Sequence, residues 1–206
     1  MPANWAVSHW PRCDFHLFLS HCAEDRETLV VPVQQQVESC GVITWLDCHD
    51  YPAGRDPFEI LREEILRCRH VAFFVTEGLL RQARGWSAVE RGYSEAVQRM
   101  LSAGPLELCH IELPLVFVAR DHPVLNRSIW SPLFSKALFF PGRPRSKRER
   151  IDWASTMISE FVQREEEWGM EIGTRIQSDE ALAAQFEGEP NLFERIIAAS
   201  PPPIGM

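Results

Sequence analysis

No apolar run in the 206-residue chain approaches the ~20 residues that a membrane-spanning helix needs. Met1 to Arg12 has neither the basic start nor the apolar centre of a secretory signal. Positive charge is in deficit: 21 Lys and Arg face 29 Asp and Glu, a net charge of −8. Such a balance speaks against a nucleic-acid partner, whose phosphates call for a basic surface. Cysteine pairing motifs are missing as well. Cys13, Cys22, Cys40, Cys48, Cys68 and Cys109 form no C-x-x-C pair and fit no zinc spacing. They lie in or beside apolar segments, where free thiols are buried. The expectation is a cytoplasmic protein kept reduced, with no metal and no membrane contact.

What is present is alternation. Asp14 to Ser20 (D-F-H-L-F-L-S) reads as a strand, with Phe15, Leu17 and Leu19 on one face and Phe18 on the other. A polar turn, Ser20 to Asp25, leads to a helix over Arg26 to Cys40, stopped by Gly41 and kinked or started by Pro32. Val42 to Asp47 is a second strand, followed by a loop punctuated by Pro52 and Gly54. Asp56-Pro57-Phe58-Glu59 opens a helix with a cap, a first-turn proline and a capping-box glutamate. It runs to about Arg69 and buries Phe58, Leu61, Ile65 and Leu66.

Val71 to Thr76 is continuously apolar, as a central parallel strand is. A loop or short turn (Glu77 to Gly85) precedes a helix over Ser87 to Leu101. Leu113 to Ala119 and Lys136 to Phe140 supply two more strands, with Pro114 required at a strand start. The last clear helix spans Ile151 to about Glu167, its stripe being Trp153, Ala154, Met157, Ile158, Phe161 and Val162. The pattern predicts an α/β, flavodoxin-like fold: a five-stranded parallel sheet of order 2-1-3-4-5 with helices on both faces. The expected organisation is an N-terminal segment (1–12), one domain (13–168) and a C-terminal extension (169–206). The extension carries two short helices, Asp179 to Glu187 and Leu192 to Ala199, and a Pro-rich end. Its apolar Leu192, Phe193, Ile196 and Ile197 must dock on the domain or on a partner. The basic run Arg143 to Arg150 reads as a solvated linker, having no interleaved aromatics.

Ligands of such sheets bind beyond the strand C-termini where strand order reverses, here between the first and third strands. That rim collects Ser20, His21, Asp47, the Pro52–Gly54 loop, Trp86 and Glu90. Glu90 is the residue placed to do chemistry.

At these residues the chain resembles a TIR domain, the Toll/interleukin-1 receptor family. Asp14 to His21 is similar to the family's first box. Leu46-Asp47 with Gly54 seven residues on resembles the second box and its BB loop. Trp86-x-x-x-Glu90 resembles the motif of NAD-cleaving members, including bacterial immune ones. Asp152-Trp153 and Phe139-Phe140 are compatible with a third box. The similarity implies an NAD⁺ glycohydrolase or ADP-ribosyl cyclase making a nucleotide signal in anti-phage immunity. Glu90 would be catalytic; Ser20, His21, Asp47, Gly54 and Trp86 would bind substrate. NAD⁺ would be substrate, with no cofactor. Partners would be further copies through TIR–TIR contacts and a separate effector or sensor. The chain departs from the pattern at Asp56, often aromatic in such enzymes, and at Cys22-Ala23, where paired basic residues can follow the first box.

Each residue also has a plainer reading. Ser87-x-x-Glu90 fits a capping box. Trp86 can wedge a helix against the sheet, Phe58 can be core, and Asp47 and His21 can be turn residues. Glu95 reads as a solvated charge. Two other functions compete: a non-catalytic TIR adaptor assembling through the BB loop, and a nucleoside deoxyribosyltransferase, against which the BB-loop box argues.

Overall fold

The structure is a computed structural model in which residues 15–47, 56–82, 85–102, 110–123, 125, 131–142 and 146–178 are described. Gly54 and the loop around it, Cys13, Cys48, Cys109, residues 143–145 and the extension beyond Ser178 lie outside them.

Five strands form one all-parallel sheet: β1 (Phe15–Ser20), β2 (Thr44–Trp45), β3 (Cys68–Val75), β4 (Glu112–Val116) and β5 (Leu138–Phe139). Their order is β2-β1-β3-β4-β5, as the alternation predicts. β3 is the centre, fully buried along its eight residues. It begins three residues earlier than its apolar run, because Arg69 and His70 are buried and paired rather than solvated. Pro114 sits inside β4 rather than at its start. The ladder explains this. Phe117 N–H donates to Val75 and Phe140 N–H to the carbonyl of Val116, so even-numbered β4 residues face β5. β5 joins only opposite Leu115, and the missing N–H of Pro114 costs no ladder bond.

Helices α1 (Val31–Ser39), α2 (Pro57–Arg67), α3 (Glu77–Arg81), α4 (Trp86–Ser102) and α5 (Lys147–Ser178) cover the sheet. A π-helical turn, Arg26–Val30, precedes α1. Pro32 occupies the first turn of α1, where its absent N–H is tolerated. Gly41 ends α1 with φ +91°, the left-handed conformation glycine adopts freely. Gly41 N–H bonds Glu38 and Val42 N–H bonds Val37, which completes a Schellman motif. Asp56 caps α2 by accepting from Phe58 N–H at 2.9 Å, so its bond goes to Phe58 rather than Glu59.

The sheet divides the core. On one face Leu17, Leu19, Ala72, Phe74 and Leu115 pack under α1 and under Ala154, Ile158 and Val162 of α5. On the other, Phe18, Val71, Phe73, Val75 and Val116 meet Leu61 and Ile65 of α2 and Tyr93 of α4. Phe15 packs with this second cluster, not with Leu17 and Leu19. It lies at the strand end, where Arg67 of α2 covers its ring at 5.3 Å. Of the described cysteines, Cys22 and Cys68 are buried as expected, but Cys40 is exposed because it is the C-cap of α1. α5 starts four residues before Ile151 and continues to Ser178, beyond the expected end near Glu167.

Candidate functional site

β1 and β3 end side by side, with Ser20 registered to Phe73. α4 begins at Trp86, directly across from that end. Its fifth residue, Glu90, is buried at 6% exposure, and Ser20 is wholly buried. The Ser20 hydroxyl donates to Glu90 Oε2 in a short hydrogen bond. Burial pushes the Glu90 carboxyl up to about 8; the Ser20 bond opposes the shift and the charge of Asp47 adds to it.

The capping-box reading of Ser87-x-x-Glu90 does not hold. α4 starts one residue before Ser87, and the Ser87 hydroxyl donates to the carbonyl of His21 at 3.0 Å. The two side chains therefore staple the first turns of α4 to the end of β1, and neither is spent on its own helix terminus.

His21 is a linker rather than a free turn residue. Its Nδ1–H donates to the Leu19 carbonyl at 3.0 Å, and its Nε2 accepts from Arg26 Nε at 3.2 Å. That pairing requires the neutral ring, in line with a pKa lowered first by burial. Arg26 reaches on to Asp47 at 3.3 Å. Ser20, His21, Asp47 and Glu90 thus gather at one rim. Arg26 and Ser87 complete the network. The sequence reading missed both, although Arg26 is the first cation after the β1 turn.

Trp86 lies one helical turn before Glu90, on the same face of α4. It is 42% exposed and therefore no buried wedge. Its ring leans on half-buried Phe58 at 4.9 Å, giving an aromatic pair beside the carboxyl. Gly54 is outside the described residues. Glu95 is held by Arg91 in an i,i+4 ion pair rather than freely solvated.

A second polar cluster locks the neighbouring loop. Thr76 Oγ1 donates to Asp25 at 2.5 Å and accepts from Leu79 N–H at 3.2 Å, which caps α3. Cys22 Sγ donates to the same Asp25 oxygen at 2.7 Å. Burial, then Asp25, pushes the Cys22 thiol up to about 11, so it is no nucleophile. A Cβ at Gly78 would stand 2.6 Å from that sulfur, which is why only glycine fits. Among the described residues no group of three or more His, Cys, Asp and Glu is arranged for a metal ion. No helix among them is long and apolar enough to cross a membrane.

The staple makes a testable prediction. In Ser20→Ala the bond that favours the carboxylate disappears, and the Glu90 midpoint moves further up. Carboxyl ¹³C titration of the glutamate reads the shift; an unchanged midpoint contradicts the bond.

No family model and no curated protein matches the sequence. Among solved structures, the chain is similar to the TIR domain of the Toll-related receptor TRR-2 from the lower metazoan Hydra magnipapillata. Identity is 15%, the TM-score is 0.38, and the match covers 59% of this chain and 96% of that one. The flavodoxin-like assignment stands on this chain's own strand order and register.

Proposed function

We propose that the chain cleaves the bond between nicotinamide and ribose in NAD⁺, with Glu90 as the catalytic carboxylate. The observation that carries the reading is the buried Glu90 carboxyl, held by Ser20 at the C-terminal ends of β1 and β3 with Trp86 one turn away. The resemblance of Trp86-x-x-x-Glu90 to the NAD-cleaving TIR motif supports it.

The chemistry suits a single carboxyl. The pyridinium leaves as neutral nicotinamide and takes the electron pair of the broken C–N bond, so no acid is needed. The ribosyl cation left behind is stabilised by an anion beside it, as oxocarbenium ions are in glycoside hydrolysis. Water attack gives ADP-ribose; attack by a nucleophile of the same molecule gives a cyclic isomer. A carboxyl with a pKa of about 8 is mostly protonated at neutral pH. The positive pyridinium ring of bound NAD⁺, placed beside the carboxyl, favours its ionised form, so substrate binding itself arms the group. The exposed ring of Trp86, leaning on Phe58, offers an aromatic face for one of the rings.

A second reading, a non-catalytic adaptor working through self-association, is favoured by one observation: Glu90 is almost wholly covered and already hydrogen-bonded within the protein. Incubating the purified chain with NAD⁺ and weighing the products separates the two. Free nicotinamide with ADP-ribose or a cyclic isomer supports the enzyme, and intact NAD⁺ supports the adaptor. Assembly, a separate effector or sensor, a role in anti-phage immunity and a cytoplasmic setting belong to the same proposal. If copies must associate to complete the site, specific activity rises with protein concentration. A flat dependence removes assembly from the scheme.

A further inference from the structure

A cavity of about 410 Å³ opens beyond the C-terminal ends of β4 and β5, lined by Val118, Ala119, Arg120, Phe139 to Pro141, and Gly142. The crevice holding Glu90 lies instead between β1 and β3, on the far side of β4 in the sheet order. The volume is within the range of small-molecule sites, which are mostly apolar with a few directed polar groups. Here the directed group is Arg120. Its guanidinium carbon stands 4.8 Å from the centre of the Phe139 ring. Arg120 is exposed. Among the described residues no carboxylate lies within ion-pair distance of it.

An arginine stacked on a ring keeps its edge N–H groups free for an anion, and its outer face can take a second flat ring. Directly after Gly142 the sequence holds Arg143, Arg145, Lys147, Arg148 and Arg150, with one acid, Glu149, among them. Lys147 and Arg148 are exposed at the start of α5. In a chain of net charge −8 this is a local reversal of sign in the sequence, directly after a residue that lines the cavity. The wall behind is firm: Phe140 meets Trp153 of α5 edge-on at 5.3 Å.

We propose that this cavity is a second, non-catalytic binding site for a nucleoside phosphate. The base stacks on the Arg120–Phe139 pair and the phosphate is held by Arg120. The inference does not depend on the role of Glu90.

The test is equilibrium binding of AMP to the full chain, wild type against Arg120→Ala and Glu90→Gln. Arg120 is exposed, so its truncation leaves the core intact. The expected result is saturable binding to the wild type and to Glu90→Gln, weakened about tenfold or more in Arg120→Ala. Raised salt weakens it too. No saturable binding overturns the proposal. So does equal binding to wild type and Arg120→Ala, which locates AMP elsewhere, and so does loss of binding in Glu90→Gln alone, which locates it in the β1–β3 crevice.

Discussion

Glu90→Gln abolishes nicotinamide release from NAD⁺, by at least about 10³-fold, while the protein stays folded. The amide fills the same volume and still accepts from the Ser20 hydroxyl, so the staple between β1 and α4 survives. What it lacks is the negative charge that the ribosyl cation requires. The same variant changes stability in a direction that a merely damaged protein would not. Burial raises the Glu90 carboxyl to about 8, so between about pH 4.5 and 8 the folded protein holds a proton that the unfolded chain has released. Its contribution is present in acid and is lost as the pH rises through that window, by about 1.4 kcal/mol per pH unit. Glutamine has no such term. Glu90→Gln therefore gains on the wild type as pH rises toward 8. Urea unfolding at several pH values measures the gain, and product analysis measures turnover. Full activity in the amide variant removes Glu90 from the mechanism. The pH profile is a second check: kcat/KM of the wild type climbs with pH toward 8, because the carboxylate is the working form.

The architecture was legible because it rests on period and punctuation. The unbroken apolar run at Val71 to Val75 marked the central strand. Gly41, Asp56 and Pro57 marked helix ends by conformational demands that few other residues meet. The α5 stripe of Ala154, Ile158 and Val162 fell where helical spacing put it. Boundaries were less legible where tertiary pairing overrides local polarity. Arg69 and His70 look like a solvated end of α2, yet they belong to β3 because Glu165 of α5 lies over them. β2 shrinks to two residues because only Leu17 and Phe18 of β1 pair with it.

At the site, residue type and position sufficed for Ser20, Asp47 and Glu90, which their strand ends and helix start bring to one rim. They did not suffice for function within it. Ser87 and Glu90 have capping-box spacing, but their partners, His21 just after β1 and Ser20 at its end, are 66 and 70 residues away in sequence. No local pattern encodes a bond of that reach. Arg26 was unreadable for the same reason: its roles depend on where His21 and Asp47 lie in space.

Stability falls below about pH 4.5, because two histidines are buried at the opposite end of the sheet from Glu90. Ile111 N–H donates to His70 Nδ1 at 3.0 Å, and His110 Nδ1–H donates to the Arg69 carbonyl at 2.8 Å while Ser94 faces its Nε2 at 3.0 Å. His70, accepting at Nδ1, is held in the neutral form. Burial holds His70 down to about 4 and His110 down to about 3. The unfolded chain takes up protons at both from about pH 6.5 downward, so their stabilisation is complete above that value and drains away in acid. Two carboxyls work against them. Glu90, at about 8, and Glu112, raised by burial to about 6, are protonated in the folded state before the unfolded chain protonates them. From about pH 6 to 4.5 the two pairs nearly cancel, and stability changes little. Below 4.5 the unfolded carboxyls are protonated too, and the opposition ends. The histidines then remove about 3 kcal/mol per pH unit until His70 titrates near 4, and about half that until His110 titrates near 3, with Glu165 adding in the same direction because its pKa is lowered. By pH 3 the two together have removed about 3 kcal/mol, a large fraction of the usual 5–15 kcal/mol. In Glu90→Gln one opposing group is gone, and the decline starts near pH 6.5 instead. Denaturant midpoints from pH 7 to 3.5 follow both curves. Ring ¹⁵N titration of the folded protein tests the cause, since a His70 or His110 midpoint near 6.5 contradicts it.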